Sequence, residues 1–149
     1  MPGSNDLLSD LYFDAVQAHD DQPVTVYVTY TRHNPKTNQY YPGKTRFQST
    51  WGQQPFWAGE AQEAVNTRID QKDHQAKTAL GFGPGILDRY STNELAIRGR
   101  EQMLIDHLGG AQKQGGFAAN IIRGVRAGPA SWAAEIAAYA EFGPLTIGQ

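Results

Sequence analysis

The chain has 149 residues, of which 40% are hydrophobic and 19% charged, and this composition is typical of one globular domain with a single core. It contains no cysteine, which excludes disulfides and thiolate metal sites. No apolar run approaches the ~20 residues that a membrane-spanning helix needs. We expect no secretory signal at the acidic N-terminus.

Charge is distributed unevenly along the chain. Residues 1–23 hold five aspartates and no basic residue, whereas residues 24–126 hold all 13 Lys and Arg residues against eight acids. The net charge of −2 therefore hides a positive middle region, which is compatible with contacts to phosphate groups. A well-mixed solvated surface would give the same distribution.

The first predicted elements are a helix and a strand. Residues 5–17 carry apolar side chains at helical spacing, and Pro23 marks a break after them. Residues 24–31 alternate strictly between two sets of side chains. Tyr30 therefore joins a valine stripe on one face of the strand, whereas Tyr27 falls on the polar face.

A second predicted strand spans residues 40–45 and follows a turn-rich stretch, so the two strands form a hairpin. Pro42 cannot donate to a strand ladder, which predicts that this strand lies at an edge or contains a bulge. Gly43 beside it allows a ligand or a backbone to approach closely. Residues 48–58 are predicted to form a loop.

Helices dominate the rest of the predicted secondary structure. Residues 60–80 form one helix that a glycine-rich stretch at 81–85 ends, and residues 92–108 form the clearest helix, with a capping box of Ser91 and Glu94. Residues 112–128 are predicted to be a loop. A last helix spans residues 130–142, and its predicted buried face consists of Trp132, Ile136, Tyr139 and Ala140.

Glu101 is the most informative single residue, because it lies within the apolar stripe of the helix at 92–108. A carboxylate in such a stripe is costly unless it is paired or binds a cation. Two interpretations remain open. Glu101 is either a metal ligand at the base of a cleft or the partner of Arg98, Arg68 or a distant arginine inside the core.

Other candidate side chains each have a plain structural alternative. Arg68 can present a fork of donors to a phosphate, or it can pair with a nearby acid. His74 can take a proton from water or bond a phosphate, although most exposed histidines do neither. Tyr27 and Tyr41 fit strands simply as aromatic residues, and a phenol acts as a base only beside a cation or a metal.

The order of these residues along the chain resembles that of the GIY-YIG (URI-type) nuclease superfamily. The resemblance covers roughly residues 24–124 and rests on an ordered set: Tyr27, Tyr41-Pro42-Gly43, Arg68, Glu101 within Ala96–Ile105, and Asn120. The stretch from Gly81-Phe82-Gly83-Pro84 to Gly109-Gly110-Ala111-Gln112 also resembles the C-terminal toxin domains of bacterial Rhs and related polymorphic toxins.

The resemblance implies an α+β fold in which a small antiparallel sheet, opened by the tyrosine-bearing hairpin, is flanked by several helices. It implies a single toxin domain over residues 1–149. Within it we expect an N-terminal helix at 1–22, a catalytic core at 24–124, and a C-terminal helix and tail at 128–149.

The resemblance also implies roles for particular residues. Glu101 would bind one divalent metal, Mg²⁺ or Mn²⁺; Tyr27 would help to deprotonate the attacking water, Tyr41 would position water or phosphate, and Arg68 would stabilise the developing charge. His74 completes the predicted catalytic set. Contacts to nucleic acid or its phosphates are predicted for Lys44, Arg46, Arg98, Arg100 and Asn120. The three arginines of this set are alternatives to Arg68 as the group that stabilises the developing charge.

The leading hypothesis is a metal-dependent nuclease, acting on DNA rather than RNA, that serves as an antibacterial effector in competition between bacteria. It would reach the cytoplasm of a target cell as part of a larger toxin, would be neutralised by a cognate immunity protein and would have no membrane partner. One alternative is an ADP-ribosyltransferase or other NAD-consuming toxin that uses Glu101 and Arg32. Another is a non-catalytic module that binds nucleic acid through the basic middle region.

Overall fold

Three antiparallel strands and four helices make up the part of the chain that the computed structural model describes, namely residues 23–50, 57–108 and 129–145. This architecture confirms the predicted α+β class. In chain order the elements are β1 (Val24–Asn34), β2 (Gln39–Ser49), α1 (Trp57–Ile69), α2 (Lys72–Ala79), β3 (Ile86–Ser91), α3 (Glu94–His107) and α4 (Pro129–Phe142).

The sheet has the order β2-β1-β3, and β1 pairs antiparallel with both neighbours. The hairpin turns at residues 35–38, where Asn38 takes the left-handed backbone conformation with φ 58°. Pro42 lies in β2, which is an edge strand of the described sheet, as the proline predicts. The register of the hairpin sets Tyr30 opposite Gly43, and this pairing organises the site described below.

The two faces of the sheet are covered by different helices. Val28 and Tyr30 of β1 pack with Ala61 and Val65 of α1 in a buried core. Thr29 lies between them in sequence and therefore points to the opposite face, where it meets groups that also bind α3. The central strand is thus buried on both sides, whereas the edge strand β2 is partly open.

A buried ion pair fixes α3 to its face of the sheet. The β1–β3 register shifts between Thr29 and Tyr30, and Asp88 is the additional residue of β3 at this bulge. Its carboxylate accepts hydrogen bonds from Thr29 (2.8 Å) and from Nε and Nη2 of Arg100 (2.7 and 2.8 Å). Arg100 is fully buried, so this contact determines how α3 presents its next residue, Glu101.

The helix predicted at 60–80 is two helices, because α1 ends at Ile69 and α2 begins at Lys72. The apolar stripe of α1 continues only as far as Ile69, and the four residues that follow are polar or charged. With no apolar side chain to bury at this point, the chain turns and restarts. The restart brings His74 of α2 into the core.

The helix predicted at 92–108 begins at Glu94, and its cap is Asn93 rather than Ser91. The side chain of Asn93 accepts hydrogen bonds from the backbone amides of Leu95 and Ala96. Ser91 instead ends β3 and donates a hydrogen bond to Glu141 of α4. The predicted burial of the apolar stripe around Glu101 is confirmed, since Ile97 and its neighbours are buried.

The predicted buried face of the last helix is wrong. Trp132, Ile136 and Tyr139 are 64%, 69% and 60% exposed. The buried positions are Ala134 and Ala138, because α4 approaches α3 very closely at Gly99. A Cβ on that glycine would lie 1.9 Å from the carbonyl oxygen of Ala134, so only small residues fit between the two helices.

Two predictions fall outside the described residues: the helix at 5–17 and the loop at 112–128, which includes Asn120. Among the residues that the structure describes, we find no helix with the length and apolar character required to cross a membrane.

Candidate active site

Tyr30, which the sequence did not single out, lies at the centre of the candidate site. Its side chain is 1% exposed, and its ring extends across β2 at Gly43. A Cβ on Gly43 would lie 2.5 Å from the outermost ring carbon and 2.6 Å from the hydroxyl oxygen of Tyr30. Glycine is therefore required here, and the close approach that it allows is made by the Tyr30 ring.

A buried chain of hydrogen bonds holds the Tyr30 hydroxyl. The hydroxyl lies 2.9 Å from Nε2 of His74, and Nδ1 of the same imidazole lies 3.2 Å from Nη1 of Arg32. Arg32 is anchored in turn, because its other donors reach backbone carbonyls at Phe82 and Gly83. His74 and Arg32 are 0% and 1% exposed, so this network is shielded from water.

The identity of the donors in this network fixes the tautomer of His74. A guanidinium only donates, so Nδ1 of His74 accepts from Arg32, and the proton of the neutral ring lies on Nε2. Nε2 therefore donates to the oxygen of Tyr30. Burial, followed by the charge of Arg68, lowers the pKa of His74 from 6.5 to about 4, which agrees with a neutral ring. The Tyr30 hydroxyl proton is left to point elsewhere.

Tyr41 completes a pair of phenols in the cleft. Its ring centroid lies 6.4 Å from that of Tyr30 and 5.3 Å from that of His74, and the ammonium of Lys77 lies 4.8 Å above its ring. Burial, followed by the charge of Glu101, raises the pKa of Tyr41. Burial, followed by Tyr41, raises the pKa of Tyr30, so both residues are phenols at neutral pH.

Arg68 lies at the end of α1, within electrostatic reach of the two phenols. Its guanidinium makes a bidentate pair with Asp73, with both N···O distances 2.9 Å, and donates to Gln71 at 2.6 Å. The hydrogen bond from Arg68 holds the pKa of Asp73 well below its ordinary value. The positive charge of Arg68 also opposes the rise in the pKa of Tyr30 and Tyr41. Arg68 is therefore a cation that Asp73 orients and that acts electrostatically on both hydroxyls.

Glu101 approaches the same region from α3. It is 6% exposed, and its Oε1 lies 3.5 Å from Nζ of Lys44 on the edge strand. Burial raises the pKa of Glu101, and the charge of Lys44 opposes that rise. Of the two sequence-based interpretations, the ion pair exists in part, but with a half-exposed lysine rather than with Arg98 or Arg68. The negative charge of Glu101 also raises the pKa of both phenols, so the carboxylate is within electrostatic reach of them.

The structure therefore places Tyr41 and His74 beside Tyr30, with Arg68 within electrostatic reach of both phenols. Lys44 lies on the α3 face of the sheet, where it pairs with Glu101, and the remaining predicted residues that the structure describes lie away from Tyr30. Tyr27 is on the opposite face of the sheet from Tyr30, paired with Arg46 on β2. Arg98 pairs with Glu94 at 3.0 Å, and Arg100 is buried against Asp88. Asn120 lies outside the described residues.

The predicted role of Glu101 as a metal ligand depends on which other side chains could share the metal. Within residues 23–50, 57–108 and 129–145 no cluster of three or more His, Asp or Glu side chains could hold a metal ion. Mg²⁺ needs no such cluster, because it commonly binds one or two carboxylates and completes its shell with waters and substrate phosphates. Glu101, a nearly buried carboxylate 3.5 Å from the Lys44 ammonium, is one carboxylate of the kind that this minimal mode of binding uses.

Sequence reasoning missed Tyr30 because it followed Tyr27, the tyrosine that the family resemblance suggested. The pairing register contained the better signal. A hairpin that turns at residues 35–38 sets Tyr30 opposite Gly43, on the face that Tyr41 also shares. A large side chain directly opposite a glycine on an edge strand indicates that the side chain crosses the strand at that point.

Comparisons with known proteins add no assignment: no family model, no curated protein and no solved structure matches this chain. The functional proposal therefore rests on the geometry of the site.

Proposed function

We propose that this protein is a metal-dependent phosphodiester hydrolase that acts on nucleic acid. One observation carries the proposal: Tyr30 and Tyr41 lie with their ring centroids 6.4 Å apart, and Arg68 and Glu101 are each within electrostatic reach of both phenols. Each component suits a reaction in which negative charge develops on a phosphate that is already anionic.

The cations of the site would bind and stabilise the phosphate. Arg68 offers a guanidinium charge that Asp73 already orients through both terminal nitrogens, and Lys44 offers a compact charge next to Glu101. When bound at Glu101, a divalent cation would neutralise phosphate charge and acidify bound water. Arg68 is pre-oriented by Asp73, so little side-chain entropy would be lost when a phosphate binds.

Tyr30 is the proposed proton acceptor in its ionised form, which arises when its hydroxyl proton passes to solvent at alkaline pH. A water oxygen forms a bond to phosphorus, the bond from phosphorus to the leaving sugar oxygen breaks, and the water proton passes to the Tyr30 oxygen. A proton from solvent reaches the leaving oxygen. The N–H of His74 already points at the Tyr30 oxygen, so it stabilises the phenolate that precedes this step.

His74 is therefore proposed as a positioning residue. Both of its ring nitrogens are occupied, one by Arg32 and one by Tyr30, and the ring is fully buried. It has no lone pair available for a water proton while these bonds persist. Tyr41 supplies a second hydroxyl in the cleft, where it would hold the attacking water or a non-bridging phosphate oxygen.

The biological setting proposed for this activity rests on the resemblance to polymorphic toxins. We propose an antibacterial effector that cleaves DNA in preference to RNA, is delivered as part of a larger protein and is blocked by an immunity protein. The transferase alternative gains no support from Arg32. That residue is buried and donates to His74, Thr78 and backbone carbonyls, which leaves no accessible guanidinium for NAD.

The direct test is incubation of plasmid DNA and total RNA with the purified chain in Mg²⁺ or EDTA. We expect cleavage with Mg²⁺, none with EDTA, and a loss of about 10²–10³-fold in Glu101→Gln, as for removal of a group that stabilises developing charge. Asp106→Asn, an exposed acid on the same helix, is the matched control and should cleave normally. Equal cleavage by folded Glu101→Gln and wild type would refute the proposal.

A further inference from the structure

A second concave site lies on the sheet face opposite to Tyr30. It encloses a cavity of about 320 Å³ lined by Tyr27, Lys44, Thr45, Arg46, Glu94 and Ile97. We call it the Tyr27 groove. Its volume is at the small end of the ~300–1,000 Å³ range of ligand sites, which suits one nucleotide rather than an extended surface.

The Tyr27 groove adjoins Glu101 through Lys44, which is one of its lining residues. Tyr27 lies in the central strand directly opposite Arg46, and Lys44 is two residues from Arg46 on the same face of β2. The ammonium of Lys44 is the one that lies 3.5 Å from Glu101. A polynucleotide with a phosphate near Glu101 would therefore meet Lys44 first, then Arg46 and the Tyr27 ring.

The charge of the groove suits an anionic ligand. Its one acid, Glu94, is paired with Arg98 at 3.0 Å. Arg46 is exposed, and among the described residues no carboxylate forms an ion pair with it. The groove thus combines an unengaged guanidinium with an aromatic ring on the neighbouring strand, which is the combination that proteins use to hold single-stranded nucleic acid.

We propose that the Tyr27 groove binds the nucleotide next to the scissile phosphate, and that the hydrolase therefore prefers single-stranded nucleic acid. The base stacks on Tyr27, and the adjoining phosphates contact Arg46 and Lys44. A base inside a duplex already has both faces covered by its neighbours, so a duplex cannot use this platform. The proposal that single strands are cleaved in preference to duplexes rests on the proposed function, whereas the proposed binding site does not.

The test measures binding without cleavage. Fluorescent dT₁₂, rU₁₂ and a 12-base-pair DNA duplex are titrated with the wild-type chain in EDTA, and gels confirm that the probes stay intact. Tyr27→Ala should weaken binding of the single strands about tenfold and leave duplex binding within twofold, whereas Tyr27→Phe should behave as wild type. Tyr40→Ala removes a tyrosine at the turn end of β2, stacked on His33, and should change nothing.

Arg46→Gln provides a second, independent measurement. It should reduce the slope of log affinity against log salt for the single strands by about 0.7, the value for one phosphate contact. If Tyr27→Ala fails to fold, as judged by its melting curve, Tyr27→Leu keeps an apolar side chain on the strand while removing the flat ring. The dT₁₂ and rU₁₂ arms report which sugar is preferred, and tighter binding of either than of the duplex supports the proposal.

Three outcomes overturn the proposal: single-strand affinity unchanged in both Tyr27→Ala and Tyr27→Leu, an equal loss for strands and duplex, or tighter binding of the duplex by the wild type. Failure of the proposed function is a separate result. A chain that never cleaves with Mg²⁺ but binds single strands through Tyr27 disproves the hydrolase and keeps the groove. A chain that cleaves with Mg²⁺ but whose single-strand affinity does not depend on Tyr27 supports the hydrolase and disproves the groove.

Discussion

The two faces of the sheet use charged groups in opposite ways. On the face covered by α1 and α2, the buried Arg32 donates to His74 and to carbonyl oxygens, so its charge orients neutral groups. On the face covered by α3, Arg100 is buried against a full carboxylate, Asp88. The first arrangement positions a hydroxyl, whereas the second anchors a helix.

The difference shows how one strand edge can combine groups from both faces. The α1–α2 face supplies the phenols, and the α3 face supplies Glu101 and contacts Lys44. They interact because β2 is an edge strand and Gly43 lets the Tyr30 ring cross it. Substitutions at the buried Arg100–Asp88 pair should therefore first affect stability, and substitutions around Tyr30 should first affect catalysis.

The largest effect on stability is expected for Asp88→Ala. The substitution removes the acceptor of two hydrogen bonds from Arg100, which is fully buried, and breaking such a pair from one side costs about 3–5 kcal/mol. Urea denaturation measures the loss. Asp70→Ala removes an exposed acid in the turn between α1 and α2 and should change stability by less than about 0.5 kcal/mol. A similar small change in both variants would show that the pair does not anchor α3.

Tyr30→Phe should separate catalysis from stability. The variant keeps the ring across Gly43 but lacks the hydroxyl that His74 contacts, and we expect a loss of about 10²–10³ in cleavage rate. Tyr27→Phe, which removes a hydroxyl from the opposite face, should lose far less. In wild type the rate should rise with pH through the alkaline range, because the pKa of Tyr30 is raised above its ordinary value by burial and by Tyr41. A plateau above pH 6 would indicate a different proton acceptor.

The buried imidazole predicts a specific dependence of stability on pH. The pKa of His74 falls from 6.5 in the unfolded chain to about 4 in the folded protein, mainly through burial. Between those values the unfolded state binds more protons, so the stabilisation is complete above pH 6.5 and is lost as pH decreases toward 4. The loss amounts to about 3 kcal/mol. The difference in urea midpoint between wild type and His74→Gln should therefore shrink over this window, and parallel curves would contradict a neutral buried ring.

A single methyl group at Gly43 should reduce both stability and cleavage. Gly43→Ala places a Cβ 2.5–2.6 Å from the end of the Tyr30 side chain, so the ring must move, at a cost of about 1–3 kcal/mol. Cleavage should fall along with stability, because the displaced hydroxyl leaves His74. Gly59→Ala is the matched control: nothing lies within 4 Å of its Cβ, and it should stabilise α1 by up to about 1 kcal/mol. Normal activity in Gly43→Ala would disprove the crossing.

Strict local patterns predicted much of this fold. Alternation in residues 24–31 and the apolar stripe around Glu101 correctly gave a buried strand and the buried face of α3. The predicted buried face of the last helix was wrong because it was assigned from hydrophobicity alone. The contact of α4 with α3 is set by how closely two backbones approach at Gly99, and that favours alanines over Trp132.

The candidate site was predictable in its membership more than in its geometry. Tyr41, Arg68, His74 and Glu101 were named from residue type and order; the rings of Tyr41 and His74 are in contact, whereas Glu101 lies on α3 against Lys44. Tyr30 was missed because its role depends on the residue opposite it on another strand, which is a property of register rather than of sequence order. The Arg32–His74 contact spans 42 residues, so no local pattern could indicate it.

The smallest effect is expected where the α1–α2 face is open to solvent. Asp73 is more than half exposed, and such a pair contributes about 0–1 kcal/mol to stability, so Asp73→Asn should barely change the urea midpoint. Its proposed role is to hold the guanidinium of Arg68 toward the phenols. The cleavage rate of Asp73→Asn should therefore fall by less than about fivefold from that of wild type, and the rate of Arg68→Ala should fall much further. If Asp73→Asn is instead as slow as Arg68→Ala, while both remain folded, then the pair acts as one unit and Asp73 contributes directly to the chemistry.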